Sequence, residues 1–409
     1  MKKSIYNFET SYNDIYIIYN SRTQACILMD QAEYALYARD LPCENQRALF
    51  DLGIYVPDDI NETQLVLNCI NENIENDFHA IRSHTVFTTT NCNARCPYCF
   101  ENGVAKKNMS EQTARDVAEY ILSNQGDAKK LYVIWFGGEP MLNVKAADTI
   151  AATIKSSISN DVEFRSSMYT NGYLFSKEAI EHAICYWNLK AVQITLDGMK
   201  ETYERIKKLP SADSFERIIR NIKEMLKAGL RVQVRLNYDE SNYQEVLLLI
   251  EYLSKEFGNA KNLYVYAYKI FSFDNPDNSK LASSEYDFNI IKKLTECGFC
   301  DNIISTIKGN SNTCLAGSKY SKIYLPDGSI IKCNRALDSR VGDIYGNIDD
   351  SEIEKWNGNR LQSSCYSCKL LPVCGGGCIL EFLNGKNGCM NSEASIIQRL
   401  QYYIRTNVV

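Results

Sequence analysis

The sequence predicts an α/β protein, in which six β/α units form a partial barrel between a small α+β unit and a cysteine-rich C-terminal segment. Three observations carry this reading. Strand-like and amphipathic helix-like runs alternate between about residues 84 and 275. Residues 1–80 hold two short strand patterns followed by helical segments. From about residue 290 onward, turns, glycine and cysteine replace long periodic runs. A chain of 409 residues is longer than one ordinary domain, and the divisions fall at 1–80, 81–290 and 291–409.

In the first segment, Asp14–Tyr19 and Ala25–Met29 are strand-like on either side of an Asn20–Gln24 turn. Helical patterns follow near 31–38, 44–52 and 62–79. In the second segment, strand-like runs occupy 84–90, 131–136, 162–169, 191–196, 231–236 and 263–271. Amphipathic helices lie between them. One starts at an N-cap Ser110 and turns Ala114, Val117 and Ile121 to one face. Another starts at an N-cap Ser214, with Ile218, Ile219 and Ile222 inward and Gly229 as its stop. Such alternation implies a parallel sheet with right-handed crossovers. Six units are too few to close an eight-stranded barrel, so a partial (β/α)6 barrel of the TIM type is expected, with its function at the C-terminal strand ends. In the third segment, helical patterning is weak until 393–404. Apolar surface is scarce there for the length, so metal clusters are expected to hold it together.

Composition removes several classes of function. Net charge is −5 and no basic stripe stands out, which argues against a nucleic-acid partner. No run of about 20 apolar residues exists, so no membrane span is expected. Met1–Asn7 has two lysines but no apolar run behind them, unlike a secretory signal. A cytoplasmic location follows, where disulfides are rare and the 16 cysteines need another explanation. Metal ligation is the default for those that cluster. Cys26, Cys43, Cys69 and Cys185 stand outside any cluster and read as plain core residues.

The first cluster is Cys92-x3-Cys96-x2-Cys99, directly after the first barrel strand. Three thiolates can hold three corners of a four-iron cluster and leave one iron open, whereas an enclosed cluster normally has four. An open metal corner can do chemistry. The same thiols also suit a zinc site, although zinc prefers four ligands and only His84 lies near in sequence. Three further strings end barrel strands: Gly137-Gly138-Glu139-Pro140, Thr170-Asn171-Gly172 and Thr195-Leu196-Asp197-Gly198. Each is weak alone, but all fall on one rim.

Together, in this order, the four strings resemble the radical SAM superfamily. The resemblance implies that Cys92, Cys96 and Cys99 bind a [4Fe-4S] cluster whose open iron is chelated by S-adenosyl-L-methionine. Reductive cleavage then gives a 5′-deoxyadenosyl radical that abstracts hydrogen from a substrate. It also implies a SAM site built from Tyr98 near the adenine, Gly137, Gly138 and Glu139 near the methionine amino group, Asn171, and Thr195 near the ribose. Lys207 stands where such enzymes often carry an arginine, with Arg205 nearby, and that contact is left unassigned. No acid or base is named; Asp197 and Glu381 are acidic residues near the motifs.

The C-terminal cysteines are similar to the SPASM extension of radical SAM enzymes. They run Cys314, then Gly328 and Cys333, then Cys365-x2-Cys368-x5-Cys374-x3-Cys378, then Cys389. The resemblance implies two auxiliary [4Fe-4S] clusters, three in all. Cys365, Cys368, Cys374 and Cys389 would close one. Cys314, Cys333 and Cys378 would serve the other, with Cys297 or Cys300 or a substrate thiolate as its fourth ligand. Auxiliary clusters suit a reaction in which the substrate radical loses an electron.

The order of elements in residues 1–80 resembles the peptide-recognition (RRE-like) units fused to maturases of ribosomally made peptides, which add a leader peptide as a strand. The expected function is a radical SAM peptide maturase that installs a thioether or carbon–carbon crosslink in a precursor peptide. It would draw electrons from a donor such as flavodoxin or ferredoxin. The competing expectations are a sulfatase-type maturase that makes formylglycine, another peptide modification such as epimerisation, and a non-catalytic zinc adaptor.

Overall fold

The structure is a computed structural model. It describes residues 1–41, 45–258, 260–270, 285–307, 314–318, 320–358, 361–386, 388–389 and 392–408, with backbone alone for 73–80. Cys43 and the end of the sixth expected strand, residue 271, lie outside these. The chain forms two compact units interleaved in sequence: Met1–Ile74, Asn275–Cys314 and Asn359–Val409 make one, Glu75–Asp274 and Leu315–Gly358 the other.

In the first unit, strand β1 (Lys2–Lys3) precedes a meander of β2 (Asn7–Tyr12), β3 (Ile15–Asn20) and β4 (Cys26–Met29), paired antiparallel in that order. Helices α1 (Gln31–Ala38) and α2 (Gln46–Asp51) follow, then β5 (Tyr55–Val56), which pairs with β1. Helix α1 has a reciprocal cap in which Asp30 accepts from the Glu33 N–H and Glu33 from the Asp30 N–H. Helix α3 (Glu62–Ala80) leads into the second unit.

The second unit carries the barrel. Parallel strands β6 (Ile81–Thr89), β7 (Lys130–Gly137), β8 (Glu163–Thr170), β9 (Leu189–Leu196), β10 (Arg231–Tyr238) and β11 (Leu263–Lys269) lie side by side in chain order. Helices α4 (Glu111–Ser123), α5 (Val144–Ser157), α6 (Lys177–Trp187), α7 (Lys200–Lys207), α8 (Ser214–Lys227) and α9 (Tyr243–Phe257) connect them. All six expected strands and the partial barrel are present. Ser110 caps α4 as expected, accepting from the Thr113 N–H. Ser214 does not cap α8: it is the helix's first residue, and the N-cap is Asp213, whose carboxylate is engaged by the Ser211 hydroxyl. Cys185 is exposed, not core. The inward stripe of α6 is Ile180, Ala183 and Trp187, and Cys185 falls off it despite the apolar letters around it. Cys69 is also exposed, whereas Cys26 packs against an apolar cluster.

After the barrel, α10 (Glu285–Glu296) belongs to the first unit. Strands β12 (Lys322–Tyr324), β13 (Ser329–Ile331) and β14 (Arg340–Asp343) then extend the barrel sheet beyond β6 to nine strands. Strand β12 runs parallel to β6, with Lys322 opposite His84, and β13 and β14 fold back antiparallel. Pro326, Asp327 and Gly328 make the β12–β13 turn, Gly328 at φ +83°, a left-handed conformation suited to glycine. These strands and α10 were not expected, although the turn string was visible. Helix α11 (Asp350–Asn357) closes this stretch.

The last segment holds α12 (Leu371–Cys374), α13 (Ile379–Leu383) and α14 (Glu393–Asn407). Its expected shortage of apolar partners is resolved by the N-terminal sheet. Ile396, Leu400 and Ile404 of α14 share one core with Phe8, Ile17, Tyr19, Leu370 and Val373. A second cluster joins Tyr6 and Val66 to Leu371. Tail and N-terminus therefore form one apolar body. Among the described residues, no helix is long and apolar enough to cross a membrane.

Candidate functional site

Parallel strands covered on both faces usually read as continuous apolar runs. Here β9 and β10 alternate. Val192, Ile194 and Leu196, and Val232, Val234 and Leu236, are buried. Their neighbours Gln193, Thr195, Arg235 and Asn237 all line one cavity of about 370 Å³. Period two puts those four on the face opposite the aliphatic residues, so the barrel keeps a hollow with one polar wall where an ordinary barrel packs side chains.

Cys92, Cys96, Tyr98, Cys99, Gly137, Gly138, Asn171, Thr195 and Lys207 line the same cavity. The cysteine loop is fixed at its root. The Thr89 hydroxyl donates to Asn108 Oδ1 at 2.6 Å, and Thr90 Oγ1 donates to the Ala105 carbonyl at 2.7 Å. Gly138 N–H donates to the Thr89 carbonyl at 3.0 Å and Glu139 N–H to the Asn91 carbonyl at 2.8 Å. This approach is possible only without side chains: a Cβ would lie 2.1 Å from Thr89 O at Gly137 and 2.2 Å from Asn91 O at Gly138. At the far end of the loop, Arg95 N–H donates to the Lys207 carbonyl at 2.8 Å.

Glu139 does not face the cavity. It is fully buried, and its carboxylate accepts from Thr170 Oγ1 at 2.7 Å, Asn171 N–H at 2.8 Å and Met141 N–H at 3.2 Å. It ties the ends of β7 and β8 together beneath the glycines. Burial raises its pKa against the pull of those donors. Asn171 in turn donates from Nδ2 to Asn93 Oδ1 at 2.7 Å, linking the end of β8 to the cysteine loop.

At the cavity wall a buried Lys207–Asp197 ion pair holds the hydroxyl of the half-buried Tyr98. Tyr98 OH donates to Asp197 Oδ1 at 2.5 Å and accepts from Lys207 Nζ at 2.9 Å. Lys207 Nζ also lies 3.0 Å from Asp197 Oδ2, with the side chains 5% and 0% exposed. Burial opposes the Lys207 charge, but Asp197, with Cys96, Tyr98 and Tyr203, overrides it and raises the pKa. Lys207 thus orients Tyr98. Its position a dozen residues beyond Thr195 was the sequence signal for it.

Three thiols on one short loop are a soft donor set suited to an iron–sulfur cluster. Burial pushes the Cys92 thiol up to about 11 and raises Cys99; a bound metal group would favour the thiolates against that burial. Burial also pushes the Glu101 carboxyl, which lines the cavity, up to about 7. His84, the nearby histidine of the zinc alternative, is in the core: its Nδ1 lies 3.0 Å from the Tyr324 hydroxyl and it is 1% exposed.

Arg235, Asn237, Gln193, Tyr268, Asn334 and Arg335 also line the cavity, and no sequence motif marks them. For Gln193, Arg235 and Asn237 the polar–apolar alternation of β9 and β10 was the available signal.

Backbone hydrogen bonds set several tail cysteines in short local turns, but among the described residues no three Cys, His, Asp or Glu side chains are grouped as a metal ion would need. Cys368 N–H donates to the Cys365 carbonyl at 3.1 Å, Cys374 N–H to Leu370 at 2.7 Å, and Cys378 N–H to Gly388, beside Cys389, at 2.9 Å. Cys314 falls in the same unit, as do Cys297 and Cys300 after α10, whereas Cys333 follows β13 in the barrel unit. Glu381 is buried in α13.

A partial (β/α)6 barrel whose first strand ends in a three-thiol loop, beside a cavity at the strand ends, defines the class. Residues 86–253 match the radical SAM superfamily model, and the chain carries a radical SAM domain. Such a domain implies a [4Fe-4S] cluster and S-adenosylmethionine. Relatives include the GTP 3′,8-cyclase of Helicobacter pylori strain HPAG1, 27% identical over 56% of this chain and 79% of that protein. For the cyclase of a second Helicobacter pylori strain, also 27% identical, the shares are 52% and 62%, so the chain spans less than two thirds of it. Among solved structures, native anSMEcpe with bound AdoMet has a TM-score of 0.62 at 17% identity, covering 80% of this chain and 97% of that one. SuiB of Streptococcus suis bound to S-adenosylmethionine has a TM-score of 0.54 at 14% identity, covering 97% and 100%. These likenesses show the fold.

Proposed function

We propose that the protein is a radical SAM peptide maturase that installs an oxidative crosslink, a thioether or a carbon–carbon bond, in a ribosomally made precursor peptide. The observation that carries this is the cavity at the strand ends. It has three thiols and two side-chain-free glycines in one part of its lining and a polar wall of Gln193, Arg235, Asn237 and Tyr268 in another. Its volume of about 370 Å³ falls in the usual range for small-molecule sites.

Cys92, Cys96 and Cys99 would hold the cluster, which when bound supplies the electron that cleaves S-adenosylmethionine. Tyr98, held by Asp197 and Lys207, orients the adenine side. Gly137 and Gly138 give the methionine end access to backbone. Asn171 and Thr195 complete that wall, and Glu139 supports it from below. Two auxiliary clusters on the tail cysteines, as the SPASM resemblance implies, would take the electron that crosslinking releases. Flavodoxin or ferredoxin would supply the reducing electron.

A peptide substrate is supported by two neighbours in fold, anSMEcpe and SuiB, which have also been solved with bound peptides: Kp18Cys and Cp18Cys for the first, the precursor SuiA for the second. SuiB bound to SuiA covers 95% of this chain. Within the N-terminal three-stranded sheet, β2 is covered by α14, where Gln401 Nε2 donates to Thr10 Oγ1 at 3.0 Å. The β4 edge is the place for a leader strand.

The test is anaerobic incubation of the reconstituted protein with S-adenosylmethionine, a reductant and the short peptide encoded beside its gene. The expected product is a peptide lighter by two hydrogens per crosslink. Unchanged peptide mass alongside 5′-deoxyadenosine would overturn the reading, and conversion of GTP under the same conditions would replace it with the chemistry named for the cyclase relatives.

A further inference from the structure

The cavity wall contributed by β10 and by the segment after β13 carries two guanidinium groups, Arg235 and Arg335, with Asn237 and Asn334 beside them. Arg235 is pinned. Its Nε–H donates to Asn237 Oδ1 at 2.8 Å, and its guanidinium lies 3.8 Å from the Tyr268 ring centroid. Both partners are uncharged, so the cation keeps its full charge toward the cavity. Arg235 also sits directly opposite Thr195 in the β9–β10 register. The row is stiffened further by Tyr266 OH donating to Gln193 Oε1 at 2.6 Å. The carboxylate among the described lining residues, Glu101, stands two positions from Cys99 on the cysteine loop.

A planar guanidinium stacked on an aromatic ring and held at Nε presents its two terminal NH2 groups as a fork, the geometry that receives a carboxylate. Arg235, half-buried with only uncharged partners, is costly to keep there unless a ligand supplies the counter-charge. Building on the peptide reading above, we infer that the segment entering this cavity carries a carboxylate, an aspartate or glutamate side chain or a peptide C-terminus, which Arg235 and Arg335 receive and so place the neighbouring carbon for hydrogen abstraction. An acidic position beside the modified residue is then a requirement for the substrate.

The test uses the full chain, reconstituted anaerobically and loaded with S-adenosylmethionine, in saturation-transfer NMR titrations with three probes. These are acetyl-Gly-Asp-Gly-Glu-Gly-amide, its Asn/Gln counterpart, and GTP. The acidic peptide is expected to bind about ten- to a hundredfold tighter than the amide peptide, the usual worth of a charged hydrogen-bonded pair. Arg235→Gln and Arg335→Gln should each erase most of that preference while S-adenosylmethionine affinity is unchanged, and Arg235→Lys should keep part of it with the fold intact. Equal binding of the two peptides overturns the inference and leaves the peptide reading standing. A parallel loss of S-adenosylmethionine affinity in Arg235→Gln overturns it by assigning the arginine to that ligand. Tighter binding of GTP than of either peptide overturns both readings.

Discussion

At the residue scale, two buried polar pairs decide different things. Lys207 and Asp197 are almost fully buried and share Tyr98 between them. Lys207→Met leaves a buried carboxylate without its cation, a loss of about 3–5 kcal/mol. Tyr98 also loses its donor. The expected outcome is a lower melting temperature and weaker S-adenosylmethionine binding, the latter read by equilibrium dialysis. Adding Asp197→Asn should restore part of the stability but not the binding, because the two side chains are coupled. Binding unaffected by Lys207→Met would remove the lysine from the site. His84 answers to pH instead. Burial first, then Lys322 and Arg82, lower its pKa from 6.5 to about 3. The native state holds it neutral while the unfolded chain protonates it below 6.5, so its contribution is present above that pH and falls as pH drops toward 3. The slope approaches about 1.4 kcal/mol per pH unit. His84→Asn should flatten the fall in melting temperature between pH 6.5 and 4. An unchanged slope would show that other groups set it.

At the scale of elements, the rim of the barrel depends on two strand ends touching without side chains. Gly138 has no positive φ, so its need is spatial: a methyl there meets the Asn91 carbonyl at 2.2 Å. That neighbour is backbone of the cysteine loop and cannot rotate away. Gly138→Ala should therefore move the loop and lower the iron bound per chain after reconstitution, with a stability loss of about 1–3 kcal/mol. Full iron loading with an unshifted cluster spectrum would contradict the clamp. The six strands and the glycine string were legible because period-two patterns and Gly-Gly at a strand end are local signals. The roles of Glu139 and Arg235 were not legible. Glu139 is turned downward by donors on β8, and Arg235 faces the cavity only because β10 pairs with β9 in one register. Cys185 shows the same limit: its neighbours are apolar, but the helix phase puts it outside. Strands β12–β14 escaped notice because three- or four-residue strands carry too few periods to read, although Pro326-Asp327-Gly328 marked their turn.

At the scale of the molecule, sequence order and structural order part company. The cysteine-rich tail was expected to lack a core, yet α14 inserts Ile396, Leu400 and Ile404 among Phe8, Ile17 and Tyr19 of the N-terminal sheet. No local pattern can announce a partner nearly 400 residues away. The consequence is practical, because deleting residues 1–80 is the obvious test of leader binding. In this fold that deletion strips the tail helix of its apolar partners, so loss of activity would report collapse of the tail body rather than loss of a peptide site. The shared core itself can be tested in the intact chain. Leu400 is fully buried, and Leu400→Ala should cost about 2–5 kcal/mol through the cavity it leaves. Because sheet and helix share that core, hydrogen exchange should quicken in α14 and in β2–β3 together, while β6–β11 keep their protection. Faster exchange in α14 alone would mean that the sheet stands by itself, and the deletion would again be a fair test of whether the N-terminal unit holds a leader.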